Sequence, residues 1–289
     1  MSDARRSGSV PHVLLGLIGS PIGSSAAPAM HEAAADAVGL RAHYQLIDVA
    51  GADAARLRAL LDAVRTMRFH GVNVTFPYKE AVIPLLDGLS DGARRVGAVN
   101  TVVVEDGRLV GHNTDATGFA SALRGRFGEA VRGPFALVGA GGVGKAAAVA
   151  LSGLSGDEIR VFDADPRKAE AVAAALGGSA RACAGLEAAL DGARGLVNGT
   201  PVGMLPNRDS PVPLPLLRPD LWVADAVYTP LWTPLLKAAR DLGAAVMTGR
   251  DLAIHQALDA FRLFTGREAP HAAMAASFDA VMAARDRAA

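Results

Sequence analysis

Short apolar blocks separated by polar, Gly- and Pro-rich punctuation run along the chain, and the period of the blocks changes repeatedly. Residues 13–18 form an unbroken apolar run of strand length, followed by the turn-rich stretch Gly19-Ser-Pro-Ile-Gly-Ser-Ser25. A helix is expected next, with Pro28 at its first position and Gly39 as its stop. Residues 43–49 alternate as a strand, 53–64 carry amphipathic helical spacing, and 71–75 read as a strand entering Phe76-Pro-Tyr-Lys-Glu80, a loop that opens a helix. Residues 99–105 and 108–111 flank Asp106-Gly107, a two-residue hairpin signal. The stretch Gly111-His-Asn-Thr-Asp115 leads to a helix predicted over 117–127. Beyond Gly133-Pro134, strands at 135–138, 159–162, 195–198, 222–225 and 245–247 alternate with helices after Gly144, over 166–176 and over 235–242. The stretch 251–288 is helical with a break near Gly266.

This order predicts an α/β protein of two domains. Strand–helix alternation from 135 onward marks a Rossmann-type, doubly wound parallel sheet, assigned to residues 118–249. Residues 1–117 form an N-terminal α/β domain. The C-terminal helices of 250–289 are too many for the second sheet and are expected to return to the first domain.

One turn carries a chemical signature. Gly139, Ala140, Gly141, Gly142, Val143 and Gly144 give G-x-G-x-x-G between an apolar strand and an alanine-rich helix. The first glycine permits the tight turn, the second lets backbone approach a pyrophosphate, and the third lets helix pack on strand. The free amides of the helix N-terminus then face an anion. Asp163 ends the next strand, where a dinucleotide fold places the acid that binds ribose. Gly139 to Lys145 also fits most of a P-loop, but Ala146 stands where a magnesium-binding Ser or Thr is needed. Lys145 is then a solvated helix residue.

Composition narrows the classes. Lys plus Arg and Asp plus Glu number 29 each, so no net field draws the chain to nucleic acid or anionic lipid. Half the residues are apolar and only 5% are aromatic, as in close-packed α/β layers. A single cysteine, Cys183, excludes an internal disulfide, fits a reducing cytoplasm and reads as a small apolar filler. No apolar run reaches the length of a membrane span, about 18 residues. Residues 1–10 lack a signal-peptide core and read as a loose tail.

Taken singly, Lys79 reads as a solvated lysine, Asp115 as a helix cap, and Asn73, Asn100 and Asn113 as turn or strand-end residues. His31, His70, His112 and His255 have no metal spacing, and no metal site is predicted. Read together, Asn73-Val-Thr-Phe-Pro-Tyr-Lys-Glu80, Gly97-Ala-Val-Asn-Thr101 and Gly111-His-Asn-Thr-Asp115 closely resemble the shikimate dehydrogenase family. So do the glycine loop, Asn198-Gly-Thr-Pro-Val-Gly-Met204, Asp225-Ala-Val-Tyr228 and Gln256-Ala257, in the family's order over nearly the whole chain. The resemblance implies reversible hydride transfer between a nicotinamide cofactor and a ring carbon bearing a secondary alcohol or ketone, with residues 1–117 and 250–289 as the substrate-binding and catalytic domain. It assigns Lys79 and Asp115 to the catalytic pair and Thr75, Asn100 and Gln256 to ring hydroxyls. It assigns Ser25 to the substrate carboxylate, and places Tyr228 near substrate and nicotinamide. Thr200, Val227 and Gly249 join the glycine loop, Asp163 and Arg167 as cofactor residues. A shielded lysine can have a lowered pKa and take the hydroxyl proton as hydride leaves. Sequence leaves open which of Lys79 and Asp115 is the formal base.

Two departures from the family pattern sharpen the reading. NADP-using members carry an Asn-Arg-Thr type sequence after the second strand, whereas this chain has Asp163-Ala-Asp-Pro-Arg167. A carboxylate at Asp163 accepts ribose hydroxyls and repels a 2′-phosphate, so NAD is expected over NADP, with Arg167 as the reservation. Shikimate-binding members have His-Ser-x-Ser-Pro in the first loop, whereas this chain has Ser24-Ser-Ala-Ala-Pro28. Ala27 therefore removes a hydroxyl expected on the carboxylate and leaves a poor helix cap. Together with Tyr78 and the Phe261–Gly266 ending, NAD preference resembles the branch that oxidises quinate or shikimate for catabolism. An aminoshikimate-type dehydrogenase, a biosynthetic NADP shikimate dehydrogenase and a non-catalytic dinucleotide sensor are the alternatives. The expected partner is a small-molecule ring acid, with no nucleic acid or membrane, on a monomer or homodimer.

Overall fold

The computed structural model describes residues 10–288; the tail reading for 1–10 lies, apart from Val10, outside the described residues. In chain order it runs β1 (His12–Gly19), α1 (Ala27–Ala37), β2 (Arg41–Asp48), α2 (Ala54–Thr66), β3 (Gly71–Val74), β4 (Gly88–Leu89), α3 (Asp91–Val96), β5 (Thr101–Glu105), β6 (Arg108–His112) and α4 (Thr114–Phe127). The second half runs β7 (Phe135–Val138), α5 (Gly142–Ser152), β8 (Ile159–Phe162), α6 (Pro166–Leu176), β9 (Ala180–Ala182), α7 (Leu186–Leu190), β10 (Gly195–Asn198), β11 (Trp222–Asp225), α8 (Pro234–Asp241), β12 (Val246–Met247), α9 (Gly249–Thr265) and α10 (His271–Ala288).

Two six-stranded sheets organise these elements, in the orders β2-β1-β3-β5-β6-β4 and β12-β11-β10-β7-β8-β9. In the first, β1 pairs in parallel with β2 and β3, while β3 and β5 are antiparallel. Asp106 and Gly107 both have positive φ, at 50° and 77°, the two-residue hairpin turn whose twist matches its strands. In the second sheet every pairing is parallel. Its central strands β7, β10 and β11 are buried on both faces. Along β7, Phe135 and Leu137 enter one apolar cluster with residues of α5 and α6, and Ala136 and Val138 enter another with residues of α7 and α8. That alternation is the doubly wound arrangement, because successive side chains of a strand point to opposite faces.

The described residues divide into two compact units, those up to 88 with 101–110 and from 260 onward, and 89–100 with 111–259. Residues 89–100, 111–117 and 250–259 therefore fall with the second sheet, and the later border lies inside α9. In the first unit, α10 packs on α1, and Ala260 and Phe264 of α9 join Leu15, Leu17 and Tyr44 in the core. Gly71 makes room there, since a Cβ on it would lie 2.5 Å from the Phe264 ring.

Three local readings change. The helix expected after Glu80 is absent. Turns lead instead to one 3₁₀ turn, Ile83–Leu85, because Pro84 has no N–H to continue an α-helix. The helix expected at 117 starts at Thr114, because the Asn113 side chain caps it by accepting the Ala116 N–H at 3.1 Å. The cap of α1 is Ala26 rather than Ala27, and it offers no side-chain hydrogen bond.

Candidate active site

In the first unit, Ser25, Thr75 and Lys79 sit on the loops that follow β1 and β3. Gly19 ends β1 and lets these loops meet: a Cβ on it would be 2.3 Å from the Thr75 methyl. The Ser20 N–H donates to the Phe76 carbonyl at 3.0 Å and the Thr75 N–H to the Ile18 carbonyl at 2.9 Å. Asp48, at the end of β2, accepts the Ile22 N–H at 3.1 Å, and that backbone hydrogen bond holds its carboxyl below the usual range. The Ser25 hydroxyl accepts the Ala27 N–H at 3.2 Å, one of the amides at the start of α1. Lys79 is half-buried, and its neighbour Tyr78 is buried. The Tyr78 hydroxyl donates to the Val49 carbonyl and accepts the Ala52 N–H at 2.9 Å. The loop carrying Lys79 is thereby pinned to the segment that follows β2, two strands away from β3 in the sheet.

The asparagine readings change as well. Asn73 is a buried strand residue whose amide donates to Thr101 Oγ1 at 3.0 Å and accepts from the Tyr44 hydroxyl at 2.8 Å. His31 stacks on Tyr44 with ring centroids 4.9 Å apart, and burial lowers its pKa to about 3, which keeps the ring neutral.

In the second unit, Asn100 and Asp115 are brought together through Thr114. Asn100 Oδ1 accepts the Thr114 N–H at 2.7 Å, and Asn100 Nδ2 donates to Thr114 Oγ1 at 3.0 Å. Asp115 is not the cap of α4. It is buried in the first turn, where a carboxylate also favours the helix N-terminus, and Asn113 does the capping. Gln256, on α9, is drawn against α4. A Cβ on Gly118 would lie 2.6 Å from the Gln256 backbone nitrogen. Thr117 also donates to the Asp259 carboxylate across the same two helices. Gly118 was not singled out from sequence, although a glycine inside a helix costs about 1 kcal/mol against alanine and therefore hints at close packing.

The glycine turn lies where β7 and β10 diverge to opposite sides of the sheet order, the switch point of a doubly wound fold. Gly139 has φ +96°, and a Cβ on it would be 2.6 Å from the Thr200 methyl. A Cβ on Gly144 would be 2.0 Å from the Gly139 carbonyl oxygen. Gly141 differs: a Cβ there would meet no protein atom within 4 Å. Packing does not require that glycine, whereas a backbone that must approach a pyrophosphate does. Gly141 also caps α5 without a side-chain hydrogen bond, so the first-turn amides are left to an anion. The Asp163 carboxylate accepts the Ala140 N–H at 2.7 Å and the Asp165 N–H at 2.9 Å. Arg167 is turned onto Asp165, with Nε and Nη2 each 3.1 Å from a carboxylate oxygen.

Thr200 and Val227 hang on a network that sequence reading did not resolve. Asn198, Asp225 and Thr233 are fully buried. Asp225 accepts from Asn198 Nδ2 at 2.9 Å, the Val227 N–H at 2.9 Å and the Thr233 hydroxyl at 2.7 Å. Asn198 Oδ1 accepts both the N–H and the hydroxyl of Thr200, at 2.9 and 2.7 Å. Burial raises the Asp225 carboxyl to about 6 despite these donors. Gly249 lies against this loop, a Cβ on it being 2.5 Å from the Val227 carbonyl. Tyr228 follows and is partly exposed. Cys183 sits in the apolar cluster beneath α7, as a small filler would, and also accepts a hydrogen bond from Arg181 at 3.3 Å. No group of three or more His, Cys, Asp or Glu that could hold a metal occurs among the described residues, and no described helix is long and apolar enough to cross a membrane.

A parallel doubly wound sheet with this glycine turn and a carboxylate on its loop amide defines a dinucleotide-binding protein of the Rossmann class. The shikimate dehydrogenase substrate binding domain matches residues 17–102. The chain is 47% identical over 277 residues to a quinate/shikimate dehydrogenase (NAD(+)) of Corynebacterium efficiens, covering 92% of this chain and 97% of that protein. It is 48% identical to a shikimate dehydrogenase (NADP(+)) of Streptomyces avermitilis, covering 88% and 91%. A solved quinate dehydrogenase from Corynebacterium glutamicum, in complex with NAD, superposes with a TM-score of 0.88 at 42% identity, covering 93% of this chain and 99% of that one. The chain belongs to the shikimate dehydrogenase family.

Proposed function

We propose that this protein transfers a hydride reversibly between NAD and the ring secondary alcohol of quinate or shikimate, with the 3-dehydro acid as the ketone. The Asp163 carboxylate at the end of β8, with Arg167 already held by Asp165, carries the choice of NAD. The residues fit such a cofactor. Gly139–Gly144 would cradle its pyrophosphate, Asp163 would take ribose hydroxyls, and Thr200, Val227 and Gly249 would border the nicotinamide half, with Arg167 at the outer edge of the adenosine ribose. Bound there, the nicotinamide supplies the hydride acceptor or donor.

Lys79 and Asp115 manage the proton. Oxidising a secondary alcohol releases the hydroxyl proton as hydride leaves, and the reverse reaction must return it. A lysine on a loop fixed by Tyr78 and a carboxylate fixed in the first turn of α4 are suited to hold that hydroxyl and move its proton. Ser25 would donate to the ring carboxylate, Thr75, Asn100 and Gln256 would take ring hydroxyls, and Tyr228 would border substrate and nicotinamide. In this reading residues 1–117 with 250–289 would bind substrate and 118–249 the dinucleotide, with 89–100, 111–117 and 250–259 serving the substrate while packing in the second unit. Such a donor-rich set rejects analogues lacking the hydroxyls, because its polar groups would be left unpaired.

A second reading, NADP-dependent reduction of 3-dehydroshikimate, is favoured by the 48% identity to the NADP(+) relative. Initial rates with quinate and shikimate, each with NAD and NADP, separate the two. Turnover with NAD and comparable use of quinate supports the first reading. Turnover confined to shikimate with NADP replaces it with the second.

A further inference from the structure

We propose that Asp165 is a specificity-determining residue: its carboxylate stands in for a 2′-phosphate and keeps Arg167 from receiving one. The inference rests on the dinucleotide reading above and extends it to a residue that does not itself take ribose. A continuous chain of contacts runs outward from the glycine turn. Asp163 accepts the Ala140 N–H with one oxygen and the Asp165 N–H with the other. The Asp165 backbone is thereby fixed, and its side chain becomes the N-cap of α6, accepting the Arg167 N–H at 3.2 Å. The same carboxylate then takes Arg167 through Nε at 3.1 Å and Nη2 at 3.1 Å.

Both features that a terminal phosphate would use here are therefore occupied by the protein's own anion. A helix N-terminus attracts negative charge, and Asp165 fills that place on α6. A guanidinium fork matches carboxylate and phosphate alike, and Asp165 fills that fork. The Arg167 contact and the nearby charge of Lys168 hold the Asp165 carboxyl below its usual range, so it stays ionised at neutral pH. Ionised, it also repels an incoming dianion. Asp163 disfavours the 2′-phosphate directly; Asp165 removes the arginine that would otherwise compensate.

Asp165→Asn is the informative change, because asparagine keeps the cap and loses the charge. Binding of adenosine 2′,5′-bisphosphate and of adenosine 5′-monophosphate is measured by calorimetry, beside kcat/KM with NADP and NAD. The ion pair is solvent-exposed and therefore weak, so affinity for the bisphosphate and kcat/KM with NADP are expected to rise only about fivefold, with monophosphate binding and NAD kinetics unchanged. Adding Arg167→Ala should remove most of the gain, leaving only the part that comes from relieved repulsion. Equal gains in the single and double variants would mean that only repulsion was relieved, and would overturn the role given to Arg167. No gain in the single variant would overturn the proposal altogether. A wild-type protein that already prefers NADP would instead overturn the underlying cofactor reading, an outcome visible before any variant is made.

Discussion

Gly19 and Gly139 solve the same problem in the two units. Each ends the first strand of its sheet, and each lies where a Cβ would strike the methyl of a threonine on a neighbouring strand end, Thr75 at 2.3 Å and Thr200 at 2.6 Å. The chains then diverge. After Gly19 come serines and prolines, whose side chains are the chemistry of the loop. After Gly139 come more glycines, and the backbone amides are the chemistry. The supports differ too. The second loop set is tied to fully buried Asn198, Asp225 and Thr233, whereas the first leans on the exposed Asp48 carboxylate and the Tyr78 hydroxyl. The glycine turn is thus fixed by backbone packing and buried polar bonds, and the serine loop by contacts that single side chains can adjust.

The sharpest break in this comparison comes from adding one methyl to each side. Gly144→Ala puts a Cβ 2.0 Å from the Gly139 carbonyl oxygen, a backbone atom, so the turn itself must move. A loss of more than about 3 kcal/mol in chemical denaturation, with loss of NAD binding, is expected. Gly19→Ala meets a side-chain methyl instead, and Thr75→Ser in the same chain should recover part of its stability. If serine recovers nothing, the two glycines are not equivalent solutions.

Lys79→Ala should lower kcat by about 10²–10⁴-fold while NAD binding, followed by fluorescence, is kept. Unchanged turnover would remove Lys79 from the reaction.

Asp225 gives the buried network a pH signature. Its folded pKa, about 6, lies above the unfolded value of 3.8, so its stability contribution is full below the unfolded value and falls away as pH rises through the folded one. The full difference is roughly 3 kcal/mol, about half of it between about pH 7 and pH 5. Melting curves should therefore show this contribution growing as pH falls through that window. Asp225→Asn should flatten it, and a variant with the wild-type slope would remove Asp225 as its source.

On the adjustable side, Tyr78→Phe deletes the hydroxyl that joins Val49 and Ala52 and should cost about 1–3 kcal/mol, with kcat falling through the displaced Lys79 loop. The smallest effect is expected from Ala27→Ser. It restores the hydroxyl beside Ser25, and KM for shikimate should fall with little change in stability, because the cap of α1 is at Ala26. An unchanged KM would mean that the acid end of the substrate is not limited by this loop.

Where the chain's chemistry is local, it could be read directly. The β7–glycine turn–α5 unit, the Asp106-Gly107 hairpin and the strands 195–198 and 222–225 stand where the spacing places them, because φ > 0 glycines and unbroken apolar runs act within a few residues. The helix expected after Glu80 gives way to a 3₁₀ turn because Pro84 lacks the N–H an α-helix needs there. The start of α4 lies three residues before the expected 117, because the Asn113 side chain caps the helix and Thr114 opens its first turn.

Amino-acid order alone thus determined the class of each sheet, the place of the anion-binding turn and the residue types available for proton transfer, since these depend on backbone freedom and side-chain chemistry at neighbouring positions. Tertiary structure decided the rest. Asp115 became a buried first-turn carboxylate rather than a cap, and Gly118 a contact point for Gln256. Asp225 became the acceptor for Asn198 of the adjacent strand, and Asp163 the acceptor for the Ala140 N–H of the glycine turn. A buried polar group must find its hydrogen bonds wherever the fold brings donors and acceptors together, and sequence spacing does not record that distance.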